Sequence, residues 1–486
     1  MRNTKSYKRI MRIIIFIVLA AALLIGATLV LTPKDFSALA IYGEPRQSLD
    51  AVFVGSSHIM SAISPTQLWH NEHFTSYVMY SWSEPIWTSY YHLKHLLKSQ
   101  SPKVAVVDAL GCSYGQFSFM PAQVDAVSNE FSLGMPMSID RLRLALTMMR
   151  CQETKMPFGT YVPLIKYHAR WQYLTIEDFT QIFAPKSSSG KGYGPIYVHK
   201  EQMQPQYEDK GYVGTLNKYV EEYLYKLIKL CKDKNIKLVM MLSPHVFAEG
   251  EKEMYAQVNR ICEENEIPFV NYNEQELITR TQFNFAEDMA EEEHVNYHGA
   301  RKITRDMGEF LASEYALKDI KHTSEIESIW DKDLAIDARD EQNMDIRLET
   351  QPNLLAEKAS EEGYVICVST KGELNKAGKE AARAFFTQLG LSDKILDTSA
   401  LQCAAIIENG KVVAENYGAN ANADAKCYDK SFSIATSFDK SSICIDGEEH
   451  SRDREGMNVV IYDKVSDKMI QSLSFNAFDN YNAFTA

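Results

Sequence analysis

The stretch Ala51-Val-Phe-Val-Gly-Ser-Ser-His58 decides the interpretation of the first part of this chain. Its apolar run breaks at Gly55 into hydroxyl residues, which is typical of a buried strand that ends at a sharp turn. We therefore predict a strand over residues 51–54 and expect Ser57 to stand exposed at the edge of a sheet. The pattern alone is weak evidence for a nucleophile, because ordinary turns also use Gly and Ser.

A second stretch, Glu291-Glu-Glu-His-Val-Asn-Tyr-His-Gly299, supplies the residue types that a serine nucleophile needs. His294 lies just before a helical pattern and could take the proton of Ser57, while Glu291 could hold the imidazole. The two stretches together predict a serine esterase or acyl-transferring enzyme. The alternative is that residues 291–293 are only a solvated acidic patch.

Length and charge limit the classes of protein to consider. A chain of 486 residues is too long for one compact core, so we expect two folded domains and an appendage. The net charge of -13 argues against nucleic-acid binding, and no basic stripe with interleaved aromatics follows the first twelve residues.

The N-terminus has the pattern of a membrane anchor. Residues 1–12 are basic, and residues 13–31 contain no charged side chain, which is close to the ~20 residues that cross a bilayer. Basic residues keep that end in the cytoplasm, so the main domains would be extracytoplasmic on a single-pass protein of the cell membrane. The alternative is a cleaved signal peptide with a site at Ala38-Leu39-Ala40. Because this site lies beyond Lys34 and Asp35, we favour the anchor.

Apolar strand patterns alternate with helical patterns over residues 45–320. We predict strands at residues 51–54, 104–107, 238–242 and 269–271, and helices at 86–97, 216–233, 250–264 and 299–315. This alternation indicates an α/β fold with a parallel sheet covered by helices on both faces, in three layers. Residues 111–198, rich in Phe, Tyr, Met and Pro, interrupt it. They form either a cap over the substrate cleft or a satellite core under a long loop.

The C-terminal part has a different pattern. Residues 321–349 are strongly charged and form a linker or an exposed helix. Residues 350–486 predict a smaller, β-rich α+β domain, with a hairpin that turns at Asn409-Gly410 and another near Asp446-Gly447. We expect its other elements at residues 364–368, 374–389, 457–462 and 469–475.

No motif predicts a metal or a cofactor, and we expect neither. The eight cysteines are scattered without a C-x-x-C pair, which leaves buried free thiols or disulfides among the last four as alternatives. His298 stands four residues after His294, but no third ligand is evident.

The serine and histidine stretches resemble the first and last sequence blocks of the SGNH (GDSL-like) hydrolases, over roughly residues 45–320. The likeness is greatest to membrane-anchored DltD-like and AlgX-like proteins, which handle acyl groups on cell-envelope polymers. It implies a flavodoxin-like α/β/α fold in which Ser57 is the nucleophile and His294 the base. The acid three positions before the histidine is usually Asp in that family. Here it is Glu291, with Asp288 as a substitute candidate.

The resemblance is weaker at the oxyanion hole, the set of donors for the negative oxygen. Ser83 stands about where the family has a glycine, and no Gly-x-Asn block follows the strand that ends at Asp108. Since the loss of one donor lowers the rate by ~10² to 10³, slow catalysis or none stays open. We expect His58 to line the pocket or cap a helix, and Arg170 to bind substrate or serve in packing.

Residues 442–450, 454–463 and 470–475 resemble the ILEI/PANDER domain, which implies a carbohydrate-binding module over about residues 350–486. The combined expectation is an extracytoplasmic serine esterase or O-acyltransferase. Its substrate would be the acyl esters of a cell-surface polysaccharide or teichoic-acid-like polymer. A membrane protein that donates the acyl group is a candidate partner. The alternative is an inactive SGNH-fold scaffold or a glycan-binding protein of the cell envelope.

Overall fold

The chain divides into two compact units, residues 1–334 and 335–486. The structure, a computed structural model, describes residues 2–34, 37–113, 134–151, 162–197, 215–247, 250–373, 376–392, 401–475 and 483–484.

Unit 1 is built on a five-stranded parallel sheet in the order β2-β1-β3-β4-β5. The strands are β1 (Ala51–Gly55), β2 (Ser76–Tyr80), β3 (Val104–Asp108), β4 (Lys237–Leu242) and β5 (Phe269–Asn271). Val52 and Val54 point into one apolar core and Ala51 and Phe53 into another. The near-continuous apolar sequence of β1 follows from this arrangement, because both faces of the sheet are covered.

Thirteen α-helices are described in unit 1 up to residue 314. They are α1 (Arg2–Leu31), α2 (Ser37–Ala40), α3 (Ser57–Ala62), α4 (Pro65–Glu72), α5 (Ile86–Leu96), α6 (Ile139–Cys151), α7 (Pro163–Tyr167), α8 (Ile176–Thr180), α9 (Lys218–Asp233), α10 (Glu251–Glu264), α11 (Gln275–Thr281), α12 (Phe285–Asp288) and α13 (Tyr297–Glu314). Helices α5, α6, α9 and α10 contribute to the first core, and α3, α4 and α13 to the second. The parallel strands therefore all end at one edge of a sheet that is covered on both faces.

Helix α1 is the one helix in the described part of the chain that is long and apolar enough to cross a membrane. The qualifying stretch is Tyr7–Leu31, and most of its side chains are exposed. This length and composition fit a membrane span and equally a signal sequence.

The insertion predicted at residues 111–198 is described only in part. Its final stretch runs along the edge of the sheet, where Val78 of β2 donates to the carbonyl of Lys191 at 2.9 Å. The side chain of Lys191 is 1% exposed and pairs with Glu44 at 2.8 Å and Asp333 at 2.6 Å. This cluster of charged side chains fixes the stretch on unit 1.

The segment predicted as a linker or exposed helix, residues 321–349, contains the helix α14 (Ser324–Leu348), and the boundary between the units lies within it. The helix is not simply exposed. Trp330 is fully buried in a core of unit 1, and Ile346 is fully buried in a core of unit 2. Its first residues therefore belong to unit 1 and its last to unit 2.

Unit 2 is a separate β-rich region with two antiparallel sheets. A six-stranded sheet has the order β15-β14-β13-β6-β7-β8 and a four-stranded sheet the order β12-β11-β10-β9. The strands are β6 (Tyr364–Lys371), β7 (Gln402–Glu408), β8 (Lys411–Gly418), β9 (Asn420–Cys427), β10 (Lys430–Ser437), β11 (Ser441–Ile445), β12 (Glu448–Glu449), β13 (Gly456–Asp463), β14 (Lys468–Phe475) and β15 (Ala483–Phe484). One core lies between the six-stranded sheet and the helices α15 (Pro352–Ala359) and α16 (Lys376–Leu389), and another between the sheets.

Asp463 at the end of β13 is a buried carboxylate of unit 2 with several donors around it. Burial acts to raise its pKa, but hydrogen bonds from Arg339, Ser466 and Asn343 outweigh this effect and lower the pKa to about 2. The ionised form is therefore stabilised by folding.

Candidate active site

The turn after β1 is fixed from the neighbouring strand by a buried carboxylate. Asp108 ends β3, and its Oδ2 accepts hydrogen bonds from the backbone N–H of Ser56 at 3.1 Å and from Ser56 Oγ at 2.5 Å. A Cβ at Gly55 would lie 2.2 Å from the Cβ of Asp108, so only glycine fits there. Burial raises the pKa of Asp108, against the effect of these hydrogen bonds. The turn is thus held by contacts that leave little freedom.

Ser57 follows this turn as the first residue of α3. Ser56 is the N-cap, and its hydroxyl accepts from the backbone N–H of His58 at 3.2 Å. The backbone N–H of Ser57 lies in the first helical turn, where N–H groups have no partner within the helix. The sequence predicted an exposed Ser57, but the residue is only 5% exposed. Its hydroxyl is covered because the ring of His294 lies against it.

His294 reaches Ser57 from a short loop between α12 and α13. A bridge between Met289 and Val295 closes the loop, and the N–H of Ala290 donates to the carbonyl of His294 at 2.9 Å. The Nε2 atom of His294 lies 2.8 Å from Ser57 Oγ. On the other side of the ring, Nδ1 is hydrogen-bonded to the carboxylate of Glu291.

This geometry assigns the tautomer of His294. A carboxylate only accepts hydrogen bonds, so Nδ1 carries a proton and Nε2 is free to accept from the serine hydroxyl. The arrangement can therefore remove the proton of Ser57 and stabilise the resulting imidazolium. The side chain of Glu291 is 34% exposed and that of His294 is 16% exposed, so this side of the site is open to water.

The ring of His58 lies beside the ring of His294, the base. Its ring centroid is 4.8 Å from that of His294 and 5.6 Å from that of His245, and the residue is buried. The Nδ1 of His245 donates to the carbonyl of Ser243 at 3.0 Å. Of the two roles expected for His58, this position favours the lining of the site, since the helix cap is Ser56.

Ser83 lies in the loop after β2 with a left-handed backbone, at φ 52°. This is the conformation that glycine adopts most easily. The buried carboxylate of Glu84 stabilises the loop. It accepts hydrogen bonds from the hydroxyls of Ser81 and, at 2.8 Å, Ser89, and it lies 3.1 Å from His92. The use of Ser83 as an oxyanion donor stays a prediction.

Asp288 and Arg170 have other partners in the structure. Asp288 accepts from the backbone N–H of Asn284 at 2.7 Å and pairs with Lys302 at 2.6 Å, so it holds the loop rather than the histidine. Arg170 pairs with Asp178 at 2.7 Å in a segment that contacts α1. Within the described contacts, neither joins Ser57, His294 or Glu291.

Three residues that support the site were not identified from the sequence. Asp108 and His245 each follow a predicted strand at its carboxyl end, and this position in a parallel sheet was the signal that could have identified them. Glu84 gave no such signal, because its partners become its neighbours only through the turn and helix that follow β2.

Among the described residues, no group of three or more His, Cys, Asp or Glu side chains is placed to hold a metal ion. All eight cysteines are free thiols, and all but Cys444 are buried. Burial raises the pKa of the Cys231 and Cys262 thiols to about 12, which makes them inert.

Comparison with known proteins adds little to this geometry. No protein-family model matches the chain, and no curated protein matches it either. Among solved structures, a protein from Bacteroides fragilis described as a "putative acylhydrolase" aligns with a TM-score of 0.29 and 10% identity, covering 59% of this chain and 100% of that one. Function is therefore inferred from the site itself.

Proposed function

We propose that unit 1 is a serine-dependent esterase or acyl-transferring enzyme. The contact of His294 Nε2 with Ser57 Oγ at 2.8 Å, with Glu291 on the opposite ring nitrogen, carries this proposal. It occurs at the carboxyl end of the parallel strands, where ligands of such sheets bind.

In the proposed reaction, Ser57 Oγ attacks the carbonyl carbon of an ester while His294 takes its proton. Glu291 stabilises the imidazolium through Nδ1. When the tetrahedral intermediate collapses, His294 gives the proton to the leaving alcohol, and the acyl group stays on Ser57. Water or a second alcohol, deprotonated by His294, then takes the acyl group and restores the serine.

The backbone N–H of Ser57 and that of Ser83 are the proposed donors for the negative oxygen. The N–H of Ser57 follows a turn that the buried Asp108 fixes through Ser56, and the N–H of Ser83 lies in a loop next to the buried Glu84. Donors held in advance of the reaction are the ones that stabilise a developing charge effectively.

We further propose that the fold is SGNH-like and that the main domains act outside the cell on acyl esters of an envelope polysaccharide or teichoic-acid-like polymer. The support is the resemblance of the serine and histidine stretches, together with a helix α1 that could anchor the chain. The β-rich unit 2 is proposed as a carbohydrate-binding module on its resemblance alone.

Labelling of the purified full-length protein with a fluorophosphonate tests the enzyme proposal. We expect Ser57→Ala to abolish both labelling and hydrolysis of p-nitrophenyl acetate. Ser61→Ala, in the same helix and also buried, is the matched control and should retain both. Equal labelling of the wild type and Ser57→Ala would favour a non-catalytic scaffold. A panel of acetylated glycans, assayed with the same variants, tests the polymer class.

A further inference from the structure

A group of large apolar side chains stands in solvent beside the C-terminal end of α1. We call it the apolar patch, and its members are Ile165, Trp171, Tyr173, Ile176, Phe179 and Phe183. Phe183 is 89% exposed and Trp171 is 68% exposed. Exposed apolar residues scattered singly are normal, but a contiguous stretch of them indicates a binding surface.

Helix α6 adds further exposed apolar side chains. Its outward face carries the exposed side chains of Ile139, Leu142, Leu146 and Met149, at the spacing of one helix face. Its opposite face is buried in the first core of unit 1. In the described part of unit 1 beyond α1, Trp82 and Tyr225 are the large exposed apolar residues that lie outside residues 137–183.

The apolar patch is continuous with the end of α1. Helices α7 and α8 and the turn between them contact α1. A cleft beside this contact is lined by Leu29 and Pro33 at the end of α1 and by Met137 and Ile182. From Tyr7 to Gly26 the side chains of α1 are exposed, except for that of the half-buried Ala20, and from Ala27 to Leu31 they are partly covered.

The length of α1 places this contact at the membrane surface. The apolar stretch Tyr7–Leu31 has 25 residues, which rise roughly 37 Å at 1.5 Å each. The hydrocarbon core is about 30 Å thick. If α1 crosses the bilayer, its last turns therefore extend into the headgroup region, where the apolar patch adjoins them.

We propose that the apolar patch inserts into the headgroup and acyl boundary of the same bilayer that α1 crosses. Trp171 and Tyr173 are the residue types that concentrate at this depth, since one end of each ring is apolar and the other polar. Lys166 follows Ile165 of the patch in the sequence and is half-buried, and its ammonium would reach lipid phosphates. The partner is therefore a phospholipid surface, and unit 1 has two points of membrane contact.

Tryptophan quenching in pure lipid vesicles tests this proposal. The full-length protein is reconstituted into phosphatidylcholine and phosphatidylglycerol vesicles whose acyl chains carry bromine near the glycerol, and retention after a carbonate wash reports insertion of α1. Of the five tryptophans, Trp69, Trp87 and Trp330 are buried, which leaves Trp82 and Trp171 as exposed reporters. We expect bromine to quench the wild-type fluorescence, Trp171→Phe to lose most of that quenching, and Trp82→Phe to retain it.

Two outcomes overturn the proposal. If the vesicles retain the protein but Trp171→Phe is quenched as much as the wild type, the patch faces water or a protein partner. If the carbonate wash releases the protein, α1 does not cross the bilayer and the first membrane contact is missing. The double variant Phe179→Asp/Phe183→Asp, which places charges in the patch, should reduce the quenching of Trp171 without affecting retention.

Discussion

Replacement of Glu291 by Gln tests the role of the carboxylate behind the base. The substitution keeps the shape of the side chain and an acceptor oxygen for His294 Nδ1, but it removes the negative charge that would stabilise the imidazolium. Since Ser57 and His294 remain in place, the loss should appear in the chemical step and not in folding.

The expected size of the effect follows from the exposure of the pair. Two unit charges about 4 Å apart attract by about 1 kcal/mol in water and about 4 kcal/mol at the effective dielectric of a protein surface. With Glu291 34% exposed and His294 16% exposed, the site lies between these limits. At about 1.4 kcal/mol for each factor of ten, kcat/KM should fall by roughly 5-fold to roughly 700-fold. A buried triad carboxylate is worth more, ~10⁴.

The assay is steady-state hydrolysis of p-nitrophenyl acetate by full-length protein, with the rate of fluorophosphonate labelling as a second readout. Glu292→Gln is the matched control, because it removes the same charge from the same acidic run. Ser57→Ala sets the background. If Glu291→Gln stays within about twofold of the wild type, a change of only ~0.4 kcal/mol, the carboxylate does not act on the base. An equal loss in Glu292→Gln would show a general effect of the acidic run instead.

Three further predictions concern stability and are checked by urea denaturation. Gly55→Ala places a Cβ 2.2 Å from that of Asp108, and we expect the free energy of unfolding to fall by about 1 to 3 kcal/mol. No change would mean that the turn is loose. Lys191→Met leaves the buried Glu44 and the half-buried Asp333 without their cation and should lower this free energy by about 3 to 5 kcal/mol. Lys186→Met, at an exposed pair, should change it by less than about 1 kcal/mol. Because folding lowers the pKa of Asp463 to about 2, its contribution of about 2 kcal/mol is complete above pH ~4 and is lost between pH ~4 and ~2. Asp463→Asn should remove that dependence, and an unchanged acid transition would contradict the assignment.

The strands of unit 1 were predictable where both faces are buried. Residues 51–54, 104–107 and 238–242 are nearly continuous apolar runs, and the structure has strands at all three. Strand β2 was not predicted, because the stretch that leads to Ser83 was considered only as the source of an oxyanion donor. Strand β9 was missed for another reason. Its buried positions are mostly Ala, alternating with Asn and Asp, which are depleted in strands.

The residues of the candidate site also divide into those that a local sequence pattern identifies and those that it does not. Ser57 and His294 were identified because each stands at a recognisable boundary between elements, and the structure brings them within hydrogen-bonding distance. The order of the strands, which no local pattern specifies, decides that Asp108 lies behind Ser56. The partners of Asp288 and Arg170 were equally hidden, since an acidic or basic residue in a polar stretch gives no sign of what it will contact.

The first turns of α14 have a practical consequence for anyone who truncates the chain. A fragment that stops at residue 320, where the alternating pattern ends, would lack Trp330, whose ring packs against Trp69 at 5.7 Å. It would also lack Asp333, one of the two carboxylates on Lys191, and His322, which bonds Asp50 at 2.8 Å. Such a fragment would expose the apolar side chains of the first core that Trp330 covers. It would therefore be prone to aggregate during expression. A stop codon placed after residue 334 would preserve these contacts.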